Sequence, residues 1–252
     1  MRYSRQLALP EIGPQGQAML QQSKVTVVGA GGLGTPASLY LAAAGVGQIT
    51  IIDPDTIAMS NLNRQVLYDP EQLGASKASL LTERLRSFNP EIEVEGIPLR
   101  LTTENAAQFL NRAGCDVVVD ATDNNETRLL LNRVAVSAGL PLIYGAVHSF
   151  YGQIMTIVPG AGPCLGCLLP NDATPTSLKE EGGGVGGGGT PVFGVIAGIV
   201  GCLEATEALK ILLGAGTSLV GRLLVINALD MHCDEIAVKR DPACPVCSCE
   251  KS

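Results

Sequence analysis

The chain has 252 residues, of which 46% are hydrophobic and 16% charged, with four Phe, five Tyr and no Trp. This composition excludes intrinsic disorder and calls for an aliphatic core of the kind a buried parallel sheet provides. The formal net charge of −7 repels nucleic acid, so no nucleic-acid partner is expected.

The opening residues, MRYSRQLALPEIG, carry charge and no apolar run of the kind a secretory leader has. A β-branched strand is predicted at 24–28. A helix should start at Thr35-Pro36, with Thr as N-cap and Pro at the first helical position, and end at Gly45 and Gly47. The alternation then continues: strand 48–53, helix 76–88, strand 92–99, helix 104–114, strand 116–120, helix 125–139 and strand 141–147. That rhythm predicts an α/β fold with a Rossmann-like, doubly wound, mostly parallel sheet.

Beyond residue 147 the rhythm changes. A strand at 152–159 follows a short turn and should be antiparallel. An apolar helix is expected from about 195 to 213, and 222–229 with 234–240 read as a hairpin-like pair, so antiparallel strands extend the sheet. The apolar stretch 192–200 is too short to cross a bilayer, and Glu204 and Glu207 follow it. No membrane association and a cytoplasmic location are expected.

Four motifs carry chemistry. In "VVGAGGLG", Gly29, Gly31 and Gly34 lie between strand and helix, where backbone can approach phosphate and helix N–H groups point at it. Asp53, ending the second strand, occupies the place of a ribose-hydroxyl acceptor. These features do not distinguish NAD, FAD and ATP. In "DPDTIAMSNLNRQ", the residues Asp53, Asp55, Ser60, Asn61, Arg64 and Gln65 share one polar loop. Lys77 follows in the first turn of a helix, on the unfavourable side of its dipole, where a triphosphate would compensate it. Solvated surface charge is the competing reading of Arg64 and Lys77.

In "VVVDATDNNETR", Asp120, Asp123 and Asn124 follow a buried strand at its C-terminal end, where open α/β sheets bind ligands. A carboxylate facing phosphates makes sense with a divalent cation between them. Asp123 could equally be a helix N-cap. Finally, Cys164-x-x-Cys167 and Cys244-x-x-Cys247 form two pairs with the spacing of a four-thiolate zinc knuckle, closed and therefore structural. Of the remaining cysteines, Cys115 and Cys202 sit in apolar contexts and are expected in the core. Cys249, beside the knuckle, is an alternative ligand, and Cys233 has no assigned role.

"RYSRQ", "GAGGLG", "DPDTIAMSNLNRQ", "GASK", "DATDN", the two C-x-x-C pairs and "GCLEATEALKILLG" occur in that order. Together they resemble the HesA/MoeB/ThiF family, the bacterial and archaeal relatives of ubiquitin-activating enzyme, over about residues 2–248. The resemblance implies a single adenylation domain over 1–252. Its nucleotide-binding half would be 24–147 and its carrier-binding half 148–252, with a crossover loop at 168–192. It implies an ATP-dependent adenylyltransferase that activates the C-terminal glycine of a small ubiquitin-like sulfur-carrier protein ending in Gly-Gly. The setting would be molybdenum-cofactor or thiamine-thiazole biosynthesis.

By the same resemblance, Gly32 and its neighbours in the glycine turn approach the phosphates and Asp53 binds the ribose. Asn61, Arg64 and Lys77 hold the triphosphate, with Ser60 in the same loop. Asp123 binds Mg2+ with Asn124 beside it, and Arg5 reaches the ATP of the neighbouring subunit in a homodimer. Adenylation of another carrier, peptide or RNA target, a nicotinamide-dependent oxidoreductase and a catalytically dead scaffold are the competing functions. Seven of the eight residues 182–189 are glycine, which raises the entropy cost of ordering the loop and leads to the expectation that it orders on carrier binding. No cysteine lies between Leu168 and Gly201, so a separate sulfur donor, such as a cysteine desulfurase, is expected.

Overall fold

The structure is a computed structural model, and it describes residues 2–110, 114–169 and 191–248. The strands are β1 (Lys24–Val28), β2 (Gln48–Ile52), β3 (Glu93–Ile97), β4 (Val117–Asp120), β5 (Leu142–His148), β6 (Tyr151–Ile157), β7 (Arg222–Asn227) and β8 (His232–Ala237). They form one sheet in the order β3-β2-β1-β4-β5-β6-β7-β8. The first five pair in parallel and the last three antiparallel, as the change of rhythm near residue 147 predicts. The reversal of strand order at β1 and β4 opens a crevice at the strands' C-terminal ends, the ligand position of doubly wound sheets.

The helices are α1 (Ser4–Leu7), α2 (Gly13–Gln22), α3 (Gly34–Ala44), α4 (Lys77–Phe88), α5 (Ala106–Leu110), α6 (Asn125–Ala138), α7 (Leu165–Leu168) and α8 (Gly194–Leu213). Alternate strand residues supply two cores. Val25, Val27, Ile49, Ile51, Val117, Val119 and Ile143 face α3, α4 and α8. Val28, Ile52, Val118, Leu142 and Met155 face α5, α6 and α7. Burial on both faces explains why these strands read as continuous apolar runs rather than alternating ones.

Two features of the structure depart from the sequence reading. Thr35 is not the cap of α3. Its N–H and its hydroxyl both donate to the Gly31 carbonyl, at 3.1 and 2.9 Å, so the first turn already closes over the glycines and Leu33 stands at the cap. The second concerns α1 and α2, which the alternating pattern did not announce. Their anchors are polar and long-range: Gln6 and Gln17 each donate to the Ala44 carbonyl, at 2.9 and 3.0 Å. The helix end at Gly45 stands as expected, with φ +84° in the left-handed region.

The crossover loop falls largely outside the described residues. The chain re-enters where Ser149 donates to the Pro191 carbonyl at 2.7 Å and Phe193 donates to the Ser149 carbonyl at 2.9 Å. Among the described residues, no helix is long and apolar enough to cross a membrane.

Candidate active site

The glycine turn sits on the C-terminal end of β1, with β2 on one side and β4 on the other. Two of its glycines are required by close approach. Gly29 has φ +104°, and a Cβ there would strike the Ala121 carbonyl; one on Gly34 would strike the Gly29 carbonyl. The peptide at Ala30 is held on both sides. Its N–H donates to Asp53 Oδ2 at 2.6 Å, and its carbonyl accepts the Tyr68 hydroxyl at 2.8 Å. Gly31 has open space before it, with Gln65 Nε2 at 3.6 Å from a notional Cβ.

Asp53 is therefore more than a waiting ribose acceptor. Its second oxygen, Oδ1, accepts the Asp55 N–H at 2.8 Å, and burial pushes its carboxyl above the usual range, against hydrogen bonds from Ala30 and Asp55. Each oxygen keeps a lone pair for a further donor. Motif reasoning missed Tyr68, because its contacts lie 38 and 9 residues away in sequence.

The loop after β2 folds over the turn. Asn61 Oδ1 accepts the Ala58 N–H at 3.1 Å, and Arg64 Nη1 donates to the Ser60 carbonyl at 3.0 Å. Ser60 is exposed. A Cβ on Gly32 would lie 3.2 Å from Arg64 Cγ and 3.0 Å from Ala197 Cβ, so α8 and the loop close over the glycines. Lys77 is the first residue of α4 and is 5% exposed. In this structure its countercharge is Asp55, with Nζ to Oδ2 at 3.1 Å. The solvated-surface reading of Lys77 is excluded by that burial.

Across the crevice, Asn124 is the N-cap of α6, accepting the Thr127 N–H at 2.9 Å. Asp123 is exposed and caps nothing. The structure thus brings together Gly29, Gly31, Gly32, Gly34, Asp53, Asp55, Ser60, Asn61, Arg64, Lys77, Asp123 and Asn124 at one end of the sheet. Arg5 is not among them. It is exposed on α1, beside the C-terminal end of α3, where its neighbour Gln6 is anchored. The glycines are at the other end of that 11-residue helix, ~16 Å away.

The four cysteines of the two C-x-x-C pairs converge, with all four sulfurs within 4.8 Å of one another. Cys164 and Cys244 are 3.6 Å apart and Cys167 and Cys247 3.4 Å. A tetrahedral zinc site with Zn–S of ~2.3 Å has S···S edges of ~3.8 Å, so the donor set fits such an ion. Burial pushes the Cys164 thiol up to about 12, and a dication is the charge that would hold it as thiolate. Cys115 and Cys202 are only half-buried and Cys233 is exposed, while Cys249 lies outside the described residues.

The chain is 45% identical over 256 residues to a Thermus thermophilus protein named sulfur carrier protein adenylyltransferase, covering 99% of this chain and 91% of that one. It is 45% identical over 246 residues to the SAMP-activating enzyme E1 of Haloferax volcanii, covering 98% and 88%. The crystal structure of E. coli MccB with ATP superposes with a TM-score of 0.82 at 26% identity, over 98% of this chain and 74% of that one. Residues 3–246 match the ThiF family model, and the chain belongs to the ThiF family.

Proposed function

We propose that the protein is an adenylyltransferase that activates the C-terminal glycine carboxylate of a small ubiquitin-like sulfur-carrier protein ending in Gly-Gly. What supports this reading is that the glycine turn, the loop bearing Arg64, Lys77 and Asp123 follow the C-terminal ends of the neighbouring strands β1, β2 and β4, in a chain 45% identical to a named sulfur carrier protein adenylyltransferase. A carboxylate oxygen of the carrier attacks the α-phosphorus of ATP. The bond to the β-phosphate oxygen breaks, pyrophosphate leaves with its electron pair, and an acyl-adenylate remains. The nucleophile comes from the substrate, so the protein's task is positioning and charge neutralisation.

In this reading the glycine turn and Gly32 approach the phosphates, and Asp53 takes the ribose. Asn61, Arg64 and Lys77 hold the triphosphate, with Ser60 in the same loop. Asp55 releases Lys77 to it. Asp123, with Asn124 beside it, would hold Mg2+, which neutralises phosphate charge when bound. The four cysteines hold a structural Zn2+. The whole chain acts as one adenylation unit, nucleotide-binding over 24–147 and carrier-binding over 148–252. Arg5 serves the partner's site in a homodimer, as its distance from its own crevice favours. Sulfur comes from a separate donor, in molybdenum-cofactor or thiazole assembly.

The test is exchange of labelled pyrophosphate into ATP, with and without Mg2+ and a Gly-Gly carrier. Exchange that needs both is expected. No exchange with any such carrier, together with tight NAD binding, would sink the reading.

A further inference from the structure

Beneath the crevice lies a second group of titratable residues that the proposed reaction does not use. Asp120, ending β4, and Glu204, on α8, are both fully buried. Arg128, on α6, is half-buried. Among the described residues, four of their polar atoms are buried without a hydrogen-bond partner: Asp120 Oδ2, Arg128 Nε and both carboxylate oxygens of Glu204. Unpartnered buried polar groups are costly, and native proteins rarely keep several at one place without a use for them.

Most of the partners that do exist belong to Thr122, and Arg128 Nη1 also donates to Asn125 Oδ1 at 3.4 Å. Asp120 Oδ1 accepts the Thr122 hydroxyl at 2.6 Å and its N–H at 3.2 Å. Arg128 Nη2 donates to the Thr122 carbonyl at 2.6 Å and, more weakly, to the Gly145 carbonyl at 3.5 Å. The guanidinium also lies over the Tyr144 ring, 5.6 Å from its centroid. From the opposite side of the sheet Glu204 presses on Gly145, where a Cβ would collide with Oε1. The residue after Thr122 is Asp123, whose side chain has no partner of its own among the described residues.

We propose that Asp120, Arg128 and Glu204 are positioning residues, a buried bracket that grips the backbone of Thr122 and thereby aims Asp123 into the crevice. Asp120 grips from the N–H side, Arg128 from the carbonyl side, and Glu204 backs Arg128 through Gly145. This inference rests on the adenylation reading for its kinetic test, since aiming Asp123 matters only if Asp123 serves the nucleotide.

Glu204 is the neutral member of the bracket. The Arg128 charge acts on both buried carboxylates, and Asp120 has the better claim to ionisation, because Thr122 donates two hydrogen bonds to it and, among the described residues, none reaches Glu204. Burial pushes the Glu204 carboxyl well above the usual range, Asp120 adds to the shift and Arg128 opposes it. An ionised Glu204 would compete with Thr122 for Arg128.

Two experiments on the full chain test the bracket. Infrared difference spectra of the wild type against Glu204→Gln at neutral pH should show a protonated carboxylic-acid band that the variant lacks. Its absence overturns the neutral assignment, whether or not the protein adenylates anything. In carrier-dependent exchange, Arg128→Met should lower kcat by ~10²-fold with the KM for ATP within about twofold, the signature of a misplaced group rather than lost binding. Glu204→Leu should lower kcat and Glu204→Gln restore it. Unchanged kcat in Arg128→Met, or Glu204→Gln as slow as Glu204→Leu, overturns the inference. Should Arg128→Met or Glu204→Leu fail to fold, wild-type-like kcat in Glu204→Gln with the band present upholds it, and a slow Glu204→Gln overturns it. A wild type that shows the band but no exchange condemns the adenylation reading and the aiming role resting on it, while the neutral Glu204 stands.

Discussion

Asn124 caps α6 by accepting the amide N–H of Thr127 at 2.9 Å, which leaves the neighbouring Asp123 carboxylate exposed and free of any capping duty. The two residues therefore separate stability from activity. Asn124→Ala should cost about 1 kcal/mol of stability. Asp123→Ala should change stability by less than about 0.5 kcal/mol, as a surface substitution does, and abolish pyrophosphate exchange. Denaturant melts alongside exchange assays check both; near-normal exchange in Asp123→Ala removes it from the site.

Lys77 is held by Asp55 across 3.1 Å, with the lysine side chain 7% exposed. Asp55→Ala leaves that ammonium without its countercharge, at a cost of about 1–3 kcal/mol. A bound triphosphate would supply the missing negative charge. The melting temperature of Asp55→Ala should therefore rise more on adding MgATP than that of the wild type. Equal rises would show that Lys77 does not meet the nucleotide.

Metal analysis should find about one zinc per chain, because four thiolates close one tetrahedral site. Cys244→Ser should lower the melting temperature, because it removes one of the four ligands. Acid should release the metal, since thiolates must be protonated to let it go. A metal-free protein with unchanged stability would refute the zinc assignment.

The carboxyl of Glu204 titrates higher in the folded than in the unfolded chain, through burial and then Asp120, against Arg128. The folded state therefore holds a proton that the unfolded state loses above about pH 4.3. Stability falls as pH rises from there, by at most about 1.4 kcal/mol per pH unit for one proton. Asp120 and Asp53, also raised by burial, contribute in the same direction. Glu204→Gln should remove part of this slope, so that its advantage over the wild type grows from pH 4 to pH 7. A constant difference across that range would mean that Glu204 is ionised in the fold.

Arg5 lies beside the C-terminal end of α3, whereas Asp123 follows the C-terminal end of β4. If Arg5 serves the neighbouring site, Arg5→Ala and Asp123→Ala should each be inactive alone. Mixed and re-equilibrated, they should regain exchange, because a hybrid dimer contains one intact composite site. No recovery in a mixture shown to exchange subunits would place Arg5 outside catalysis.

The alternation of apolar runs and the glycine spacing were sufficient for the parallel half of the sheet, because both reflect local requirements: burial on two faces, and backbone approach at Gly29 and Gly34. The cysteine pairs announced their meeting for a similar reason, since thiolate spacing is dictated by the ion. The N-terminal helices gave no such signal, because Gln6 and Gln17 bind a carbonyl far along the chain. Tyr68 was equally silent, as a lone aromatic in a polar loop.

By itself, then, the sequence determined the fold class, the crevice and the residue types around it, since these follow from periodicity and from the spacing that phosphates and metals demand. Only the tertiary structure decided which residue does what within the motifs. It made Asn124 rather than Asp123 the cap, gave Lys77 a protein countercharge, and buried Glu204 beside Gly145. Those outcomes depend on which groups lose water together, and desolvation is a property of the packed arrangement rather than of any local stretch of chain.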